Sequence, residues 1–405
     1  MSLTQVAYYI SNKDNKKQLI DELISGSKIS KLSGLKGALF SEITLNKLIE
    51  EEIRHDDFSV VTATKNSLQN SSQGERKKAL LKHIVKQNPD YILVDNVFDS
   101  LDTATQEEIS KTLEELSATK HIVQITNRKR DILPFIKTIY SSENGNYKEG
   151  IDGNNAHSKN QFVMDLPNPE HVSTESYNPL VKFNKVNVSY NGRPIVKDIS
   201  WEIKLGEFWQ LIGPNGSGKS TLLTLISGDN PKAYNQDIVL FGKQKGSGET
   251  IWDIKNKIGH YSSEMLRGFR RLDSIEKMIL SGFFDSIGLY KYPTERQIFI
   301  AHEWLELLGL LDKKDKDFLS LSAGHKRLVL IARAMVKHPP LLILDEPTNG
   351  LDDADAQLFA QLINKIANES RTAILYVSHR KEDHIKPNFT YQLTPNNQGS
   401  TGKVV

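Results

Sequence analysis

Gly213-Pro214-Asn215-Gly216-Ser217-Gly218-Lys219-Ser220-Thr221 sets four residues between its outer glycines and a Lys-Ser pair directly after the second. That spacing is the pattern of a loop whose backbone N–H groups wrap a phosphate. Phe208 to Ile212 before it has the composition of a buried strand, and Leu222, Leu223, Leu225 and Ile226 after it give a helix an apolar face. In that setting Gly213, Asn215, Gly216, Ser217, Gly218 and Thr221 are candidate cradle residues. Lys219 would neutralise phosphate oxygens, and the Ser220 hydroxyl would ligate magnesium.

The totals bound the rest. A chain of 405 residues has room for two or three domains. With 52 basic against 50 acidic residues, net charge gives no global case for nucleic acid or an acidic membrane as partner. Without cysteine there is no disulfide or thiolate chemistry. No basic-then-apolar leader opens the sequence, and no apolar run approaches the roughly 18 residues of a membrane span. The expectation is a cytoplasmic chain with no span of its own, peripheral to a membrane only through a separate subunit.

Internal repetition organises the sequence. Ser72-Gln73-Gly74-Glu75-Arg76-Lys77 returns 250 residues later as Ser322-Ala323-Gly324-His325-Lys326-Arg327, and Tyr91 to Asp95 returns at the same offset as Leu341 to Asp345. Asn127-Arg128-Lys129 matches His379-Arg380-Lys381. Aligning Ile10 to Gly26 on Ile212 to Gly228 puts Lys17 on Lys219, sets Ser11, Asp14 and Lys16 where the second copy has Gly213, Gly216 and Gly218, and Gln18 where it has Ser220. A first copy over 1–140 therefore has no working loop, and nothing in it corresponds to Val181 through Glu207. Ser141 to Asn178 is polar and non-periodic and reads as a flexible linker over 141–178. A complete second copy spans 179–395, with a hairpin turn at Asn191-Gly192, and 396–405 reads as a polar tail.

Leu341 to Leu344 is an unbroken apolar run, as in a parallel strand buried on both faces, and it ends in Asp345-Glu346. Two carboxylates there suit metal and water: Asp345 as the magnesium ligand with Ser220, Glu346 as the base that polarises the attacking water. His379 follows another strand, Thr372 to Ser378, and would orient that water. Ser72 and Ser322 each open an amphipathic helix. Ser72, Gly74 and Glu75 form a capping box that is also an anion site at a helix start.

In that order the loop, Leu321 to His325, Leu341 to Glu346, Gly350-Leu351-Asp352 and His379 resemble the Walker A, signature, Walker B, D-loop and switch histidine of an ATP-binding-cassette ATPase. Ser281 to Tyr290 and the Ser-x-Gly-Glu-x-Lys-Lys form of the first copy resemble the ModF and PhrA-like tandem group. The resemblance implies an α/β fold with two such domains in tandem, each a mostly parallel sheet with a helical subdomain, the first truncated and without the antiparallel β-subdomain. It implies ATP and Mg2+ as cofactors, Tyr190 stacking on adenine, and a separate permease chain, possible cargo being an oxyanion such as molybdate. Ser263 stands where the family carries the Q-loop glutamine, Asn96 where it carries the catalytic glutamate, and Asn127 at the switch histidine of the first copy. Such ATPases close head to tail, so one complete site would take Lys219, Ser220, Asp345, Glu346 and His379 from the second copy and Ser72, Gly74 and Glu75 from the first. Two chains pairing second copy with second copy, through Ser322 and Gly324, is the other arrangement. A soluble regulatory factor on nucleic acid or ribosomes is the alternative role; the polar stretch between the copies lacks the long charged hairpin of the ribosomal relatives, which argues against the ribosomal version, and no nucleic-acid partner is expected.

Overall fold

Apolar runs of strand length alternate with amphipathic helical stretches throughout the chain. In the computed structural model they form two α/β units, residues 1–158 with 350–354 and residues 159–349 with 355–405. The structure describes residues 3–405 except 56–57, 59, 64–65, 144–145, 151–161, 172–175, 269–271, 380–381 and 383.

The first unit contains β1 (Gln5–Tyr9), α1 (Lys16–Ile24), β2 (Gly37–Phe40), α2 (Glu42–His55), α3 (Gln73–Lys86), β3 (Tyr91–Asp95), α4 (Thr103–Ser117), β4 (His121–Thr126), β5 (Thr138–Glu143) and β6 (Asn146–Glu149). Its single sheet among the described residues runs β2-β3-β4-β1-β5-β6, parallel except for the last pair. All five residues of β3 are buried, because helices cover both faces of a parallel sheet and leave its strands no polar side. Leu80, Leu81 and Ile84 of α3 pack on one face with Ile109 and Leu113 of α4, while Leu19, Ile20 and Leu23 of α1 pack on the other. Val85 of α3 is exposed.

The second unit contains β7 (Val181–Tyr190), β8 (Arg193–Ile203), β9 (Phe208–Ile212), α5 (Lys219–Ser227), β10 (Ile238–Leu240), β11 (Lys243–Gln244), α6 (Ile251–Lys255), β12 (Ile258–Ser262), α7 (Met265–Gly268), α8 (Ile275–Leu280), α9 (Glu295–Leu307), α10 (Ala323–Met335), β13 (Leu341–Asp345), α11 (Asp353–Glu369), β14 (Ala373–Ser378), β15 (Phe389–Thr394) and β16 (Thr401–Val404); the start of α11 packs with the first unit. The main sheet, β12-β13-β14-β9-β15-β16, repeats the order of the first unit strand for strand. A second, antiparallel sheet, β11-β10-β7-β8, covers it, and Trp201 of β8 stacks on Tyr391 of β15 with centroids 4.5 Å apart. Asn191 and Gly192 both take positive φ at the β7–β8 turn, as an Asn-Gly hairpin requires. Leu328, Ile331, Ala332 and Met335 of α10 are buried together.

Three sequence expectations change. The stretch from Ser141 is not all linker: β5 and β6 carry the first sheet on to Glu149, and residues 151–161 and 172–175 lie outside the described residues. The polar tail is part of the fold at 401–404, where β16 pairs antiparallel with β15. The alignment of the two loops also slips by one residue. α1 starts at Lys16 as α5 starts at Lys219, and Tyr9 pairs with Thr126 as Ile212 pairs with Ser378. Lys16, not Lys17, is the counterpart of Lys219. The match of Leu23-Ile24-Ser25-Gly26 to Leu225-Ile226-Ser227-Gly228 misled, because the glycine that ends each helix with positive φ sits one residue later relative to its helix in the first copy.

Candidate active site

β9 is flanked by β14 and β15, and its C-terminal end delivers the chain into the Gly213 loop. Gly216 and Gly218 hold φ of +77° and +95°, a region that strains other residues, and a Cβ on Gly218 would lie 2.6 Å from Val196 Cγ1. Gly218 caps α5 without any side-chain bond, leaving the N–H groups at the start of the helix to face a ligand. Lys219 is almost wholly buried, and its Nζ donates to Gly213 O at 2.6 Å and Pro214 O at 3.0 Å. The Ser217 hydroxyl is buried with no hydrogen-bond partner among the described residues.

β13, beside β14, ends in Asp345. Burial, then the neighbouring charge of Glu346, pushes the Asp345 carboxyl up to about 6 against the pull of Lys219 and His379. Ser220, Ser263, Asp345 and Glu346 line one cavity of about 660 Å³. A half-buried carboxylate and a serine hydroxyl lining one cavity fit a hard divalent cation that takes only one or two protein ligands and completes its shell with phosphate and water. Among the described residues no group of three or more His, Cys, Asp or Glu side chains forms a self-sufficient metal site.

Glu346 sits at φ +48°, so its carboxylate leaves the strand end by a left-handed turn. His379 Nε2 contacts Glu346 Oε1, and Asn349 Nδ2 donates to Glu346 Oε2 at 2.7 Å. Burial works to raise Glu346, but the hydrogen bond and charge of His379, with Asn349 and Lys219, outweigh it and hold the group below the ordinary glutamate value. An ionised glutamate with a histidine on one oxygen can accept a proton from water.

Sequence reasoning missed the residues that hold this turn. Arg327 on α10 donates to Pro347 O and Asn349 O. Its repeat partner Lys77 on α3 donates to Asp99 O at 2.7 Å, and Asp99 is the counterpart of Asn349. A cation preserved on the buried side of both signature helices was the available signal. Tyr190 is 39% exposed at the end of β7, and its hydroxyl accepts from Asn230 Nδ2 at 2.7 Å, which fixes the ring.

In the first unit the corresponding groups are satisfied internally. Asp14 Oδ2 accepts from Ser11 N at 2.7 Å and Ser11 Oγ at 3.0 Å, and Asp14 Oδ1 from Ser142 Oγ at 2.6 Å. Lys16 Nζ pairs with Asp95, the repeat partner of Asp345, at 3.2 Å. Asn96 takes φ +42° where Glu346 takes +48°, and its Oδ1 accepts from Asn127 N at 3.2 Å. Ser72 caps α3: its Oγ donates to Glu75 Oε2 at 2.8 Å and accepts from Glu75 N. Gly74 lies in the same turn, where a Cβ would meet Thr105 at 3.3 Å. Gly350–Ala354 also packs within this unit, with Asp352 accepting from Asn12 N at 2.7 Å and Asp353 from the Tyr9 hydroxyl at 2.9 Å and Lys129 N at 2.8 Å.

A family model described as ABC transporter matches residues 196–349, the stretch that holds the glycine loop, the signature and Asp345-Glu346. The chain is 38% identical over 365 residues to the ABC transporter ATP-binding protein ModF of Escherichia coli, spanning 84% of this chain and 74% of that one. The chain belongs to the ATP-binding-cassette family. It is also 33% identical over 328 residues to an uncharacterized ABC transporter ATP-binding protein of Schizosaccharomyces pombe, covering 78% of this chain and 66% of that one. The solved complex of an archaeal ribosome recycling factor with a stalk protein contains a chain of the same fold, with TM-score 0.61 over 98% of this chain and 85% of that one at 14% identity. The tandem fold and an ATPase activity of this family follow for the chain. No helix among the described residues is long and apolar enough to cross a membrane.

Proposed function

We propose that the chain hydrolyses Mg-ATP at one competent site per chain. The second copy contributes the loop Gly213 to Thr221, Lys219, Ser220, Asp345, Glu346 and His379; the first contributes the Ser72 signature. The observation that carries this reading is the contrast between the copies. Lys219 donates to the loop carbonyls of Gly213 and Pro214, where a phosphate would lie, whereas Lys16 is paired to Asp95 and Asp14 already occupies its own loop. Asn96 and Asn127 lack the proton affinity of Glu346 and His379, so the first copy would not turn over nucleotide.

When bound, magnesium would be held by Ser220 and Asp345 and would neutralise charge on the transferring phosphoryl group. Lys219 binds the phosphates, Tyr190 stacks the base, Glu346 takes the proton of the attacking water, and His379 orients Glu346. Intrachain pairing of the two copies is the arrangement proposed, with a homodimer of second copies as its rival. With Glu346→Gln and Mg-ATP, filter binding should trap one ATP per chain at the Gly213 loop, lost on adding Lys219→Ala; trapped ATP that survives Lys219→Ala and is lost with Lys16→Ala would revive the first loop.

The role that best suits a relative named as an ABC transporter ATP-binding protein is the energising subunit of an importer, at the inner face of a membrane through a permease on a separate chain. Molybdate or a similar oxyanion is the cargo proposed. Ser263, with its N–H on Asp345 O at 3.3 Å in place of a Q-loop glutamine, favours a second reading, a soluble ATPase that regulates a partner without a permease. Pull-down with the Glu346→Gln chain and ATP separates them: a multi-span permease supports the first, and soluble partners alone the second.

A further inference from the structure

The first sheet has an open face where its twin is covered. In the second unit Leu211 pairs with Tyr391 across β9 and β15, and Trp201 of the antiparallel sheet lies flat on Tyr391 at an interplanar angle of 13°. In the first unit Tyr8 pairs with Tyr140 across β1 and β5 in the same register, but the described residues include no second sheet. What remains there is a cleft of about 770 Å³, within the size range of small-molecule sites.

Its chemistry is distinctive. Tyr8, Tyr140 and Tyr147 form a ring cluster, Tyr8 stacked on Tyr140 at 5.3 Å and edge-on to Tyr147 at 5.2 Å, and no hydrogen bond engages their hydroxyls among the described residues. Lys28, Lys31 and Lys137 line the cleft and, among the described residues, no carboxylate does; of the three, Lys28 is committed to Glu22 and to the face of Tyr147. Thr4 adds a buried hydroxyl without a partner. A flat aromatic ring fills this position in the twin, and exposed lysines here call for an anion. One class of ligand carries both. We propose that this cleft binds a nucleoside phosphate, its base packing against Tyr140 and its phosphate drawn to Lys31 and Lys137, at a site distinct from the Gly213 loop. Base–aromatic contact and a lysine-neutralised phosphate are the two contributions such binding uses, and the second weakens with salt.

The test uses the full chain carrying Lys219→Ala, so that the Gly213 loop does not contribute. Fluorescence anisotropy is followed with two probes, a mant-labelled ADP and a fluorescein-labelled short oligothymidylate; the probe that binds more tightly tells a free nucleotide from a single strand. The expected result is saturable, salt-sensitive binding of at least one probe, weakened about tenfold or more by Tyr140→Ala and by Lys31→Glu with Lys137→Glu. Both lysines are exposed, so the charge-reversed chain should keep its melting temperature. Absence of saturable binding by either probe overturns the proposal. So does binding that survives both sets of substitutions, or binding lost with the lysines but indifferent to Tyr140→Ala, because charge alone would then suffice.

Discussion

Glu346 shows what a single residue is asked to do at this site. It tolerates a left-handed backbone, is half-buried beside another carboxylate, and still stays ionised because His379 and Asn349 hold its oxygens. Glu346→Gln keeps the shape and removes the proposed base, so Mg-ATP binding should change little while kcat falls about 100-fold or more, measured by titration and steady-state phosphate release. Asp345 is the opposite case. Its carboxyl is raised to about 6, so the fold favours the protonated acid. The associated stability is fully present below the unfolded-state carboxylate value and is lost as pH rises through about 6. Asp345→Asn should therefore raise the melting temperature of the ligand-free chain at pH 7.5 by about 2 °C or more while removing magnesium-dependent turnover. In the native chain, magnesium affinity should fall as pH drops through about 6, since at the proposed site proton and metal would compete for one carboxylate, and excess magnesium should restore the rate; a rate flat from pH 7.5 to 5 would contradict this.

At the scale of elements, the signature helices do more than present a serine. Arg327 on α10 and Lys77 on α3 each reach a backbone carbonyl at equivalent positions beyond β13 and β3. Arg327→Ala takes the donor from one buried and one half-buried carbonyl and should cost about 1–3 kcal/mol in urea unfolding, with a fall in kcat because the Glu346 turn loosens. Lys16→Ala should behave differently. It strips the partner from Asp95, which is buried, and so lowers stability without changing ATP turnover, whereas Lys17→Ala should change neither. The strands, the two signature helices and the Gly213 loop were legible because burial on both sheet faces and phosphate geometry each demand a particular residue pattern. The one-residue slip between the loops was not, since a helix end marked by Leu-Ile-Ser-Gly looks alike whether or not the cap has shifted. β6 and β16 were hidden for a related reason: both are short edge strands rich in polar and charged residues, whose pairing is set by the hairpin rather than by an apolar period.

For the whole molecule, duplication followed by divergence leaves two sheets with the same strand order and unequal chemistry. One copy keeps an open phosphate loop, a glutamate and a histidine. The other fills its loop with Asp14, pairs Lys16 to Asp95 and keeps a capped serine at the start of α3. The proposed division of labour gives the second copy the chemistry and the first copy the signature that closes over it. Lys219→Ala should then abolish measurable ATP binding at the Gly213 loop. The most direct measurement is the steady-state ATPase rate of Ser72→Ala beside that of Ser322→Ala, at saturating Mg-ATP. The account predicts a fall of about tenfold or more for Ser72→Ala and a near-native rate for Ser322→Ala. A silent Ser72→Ala with a crippled Ser322→Ala would contradict it and point to two chains completing each other's sites.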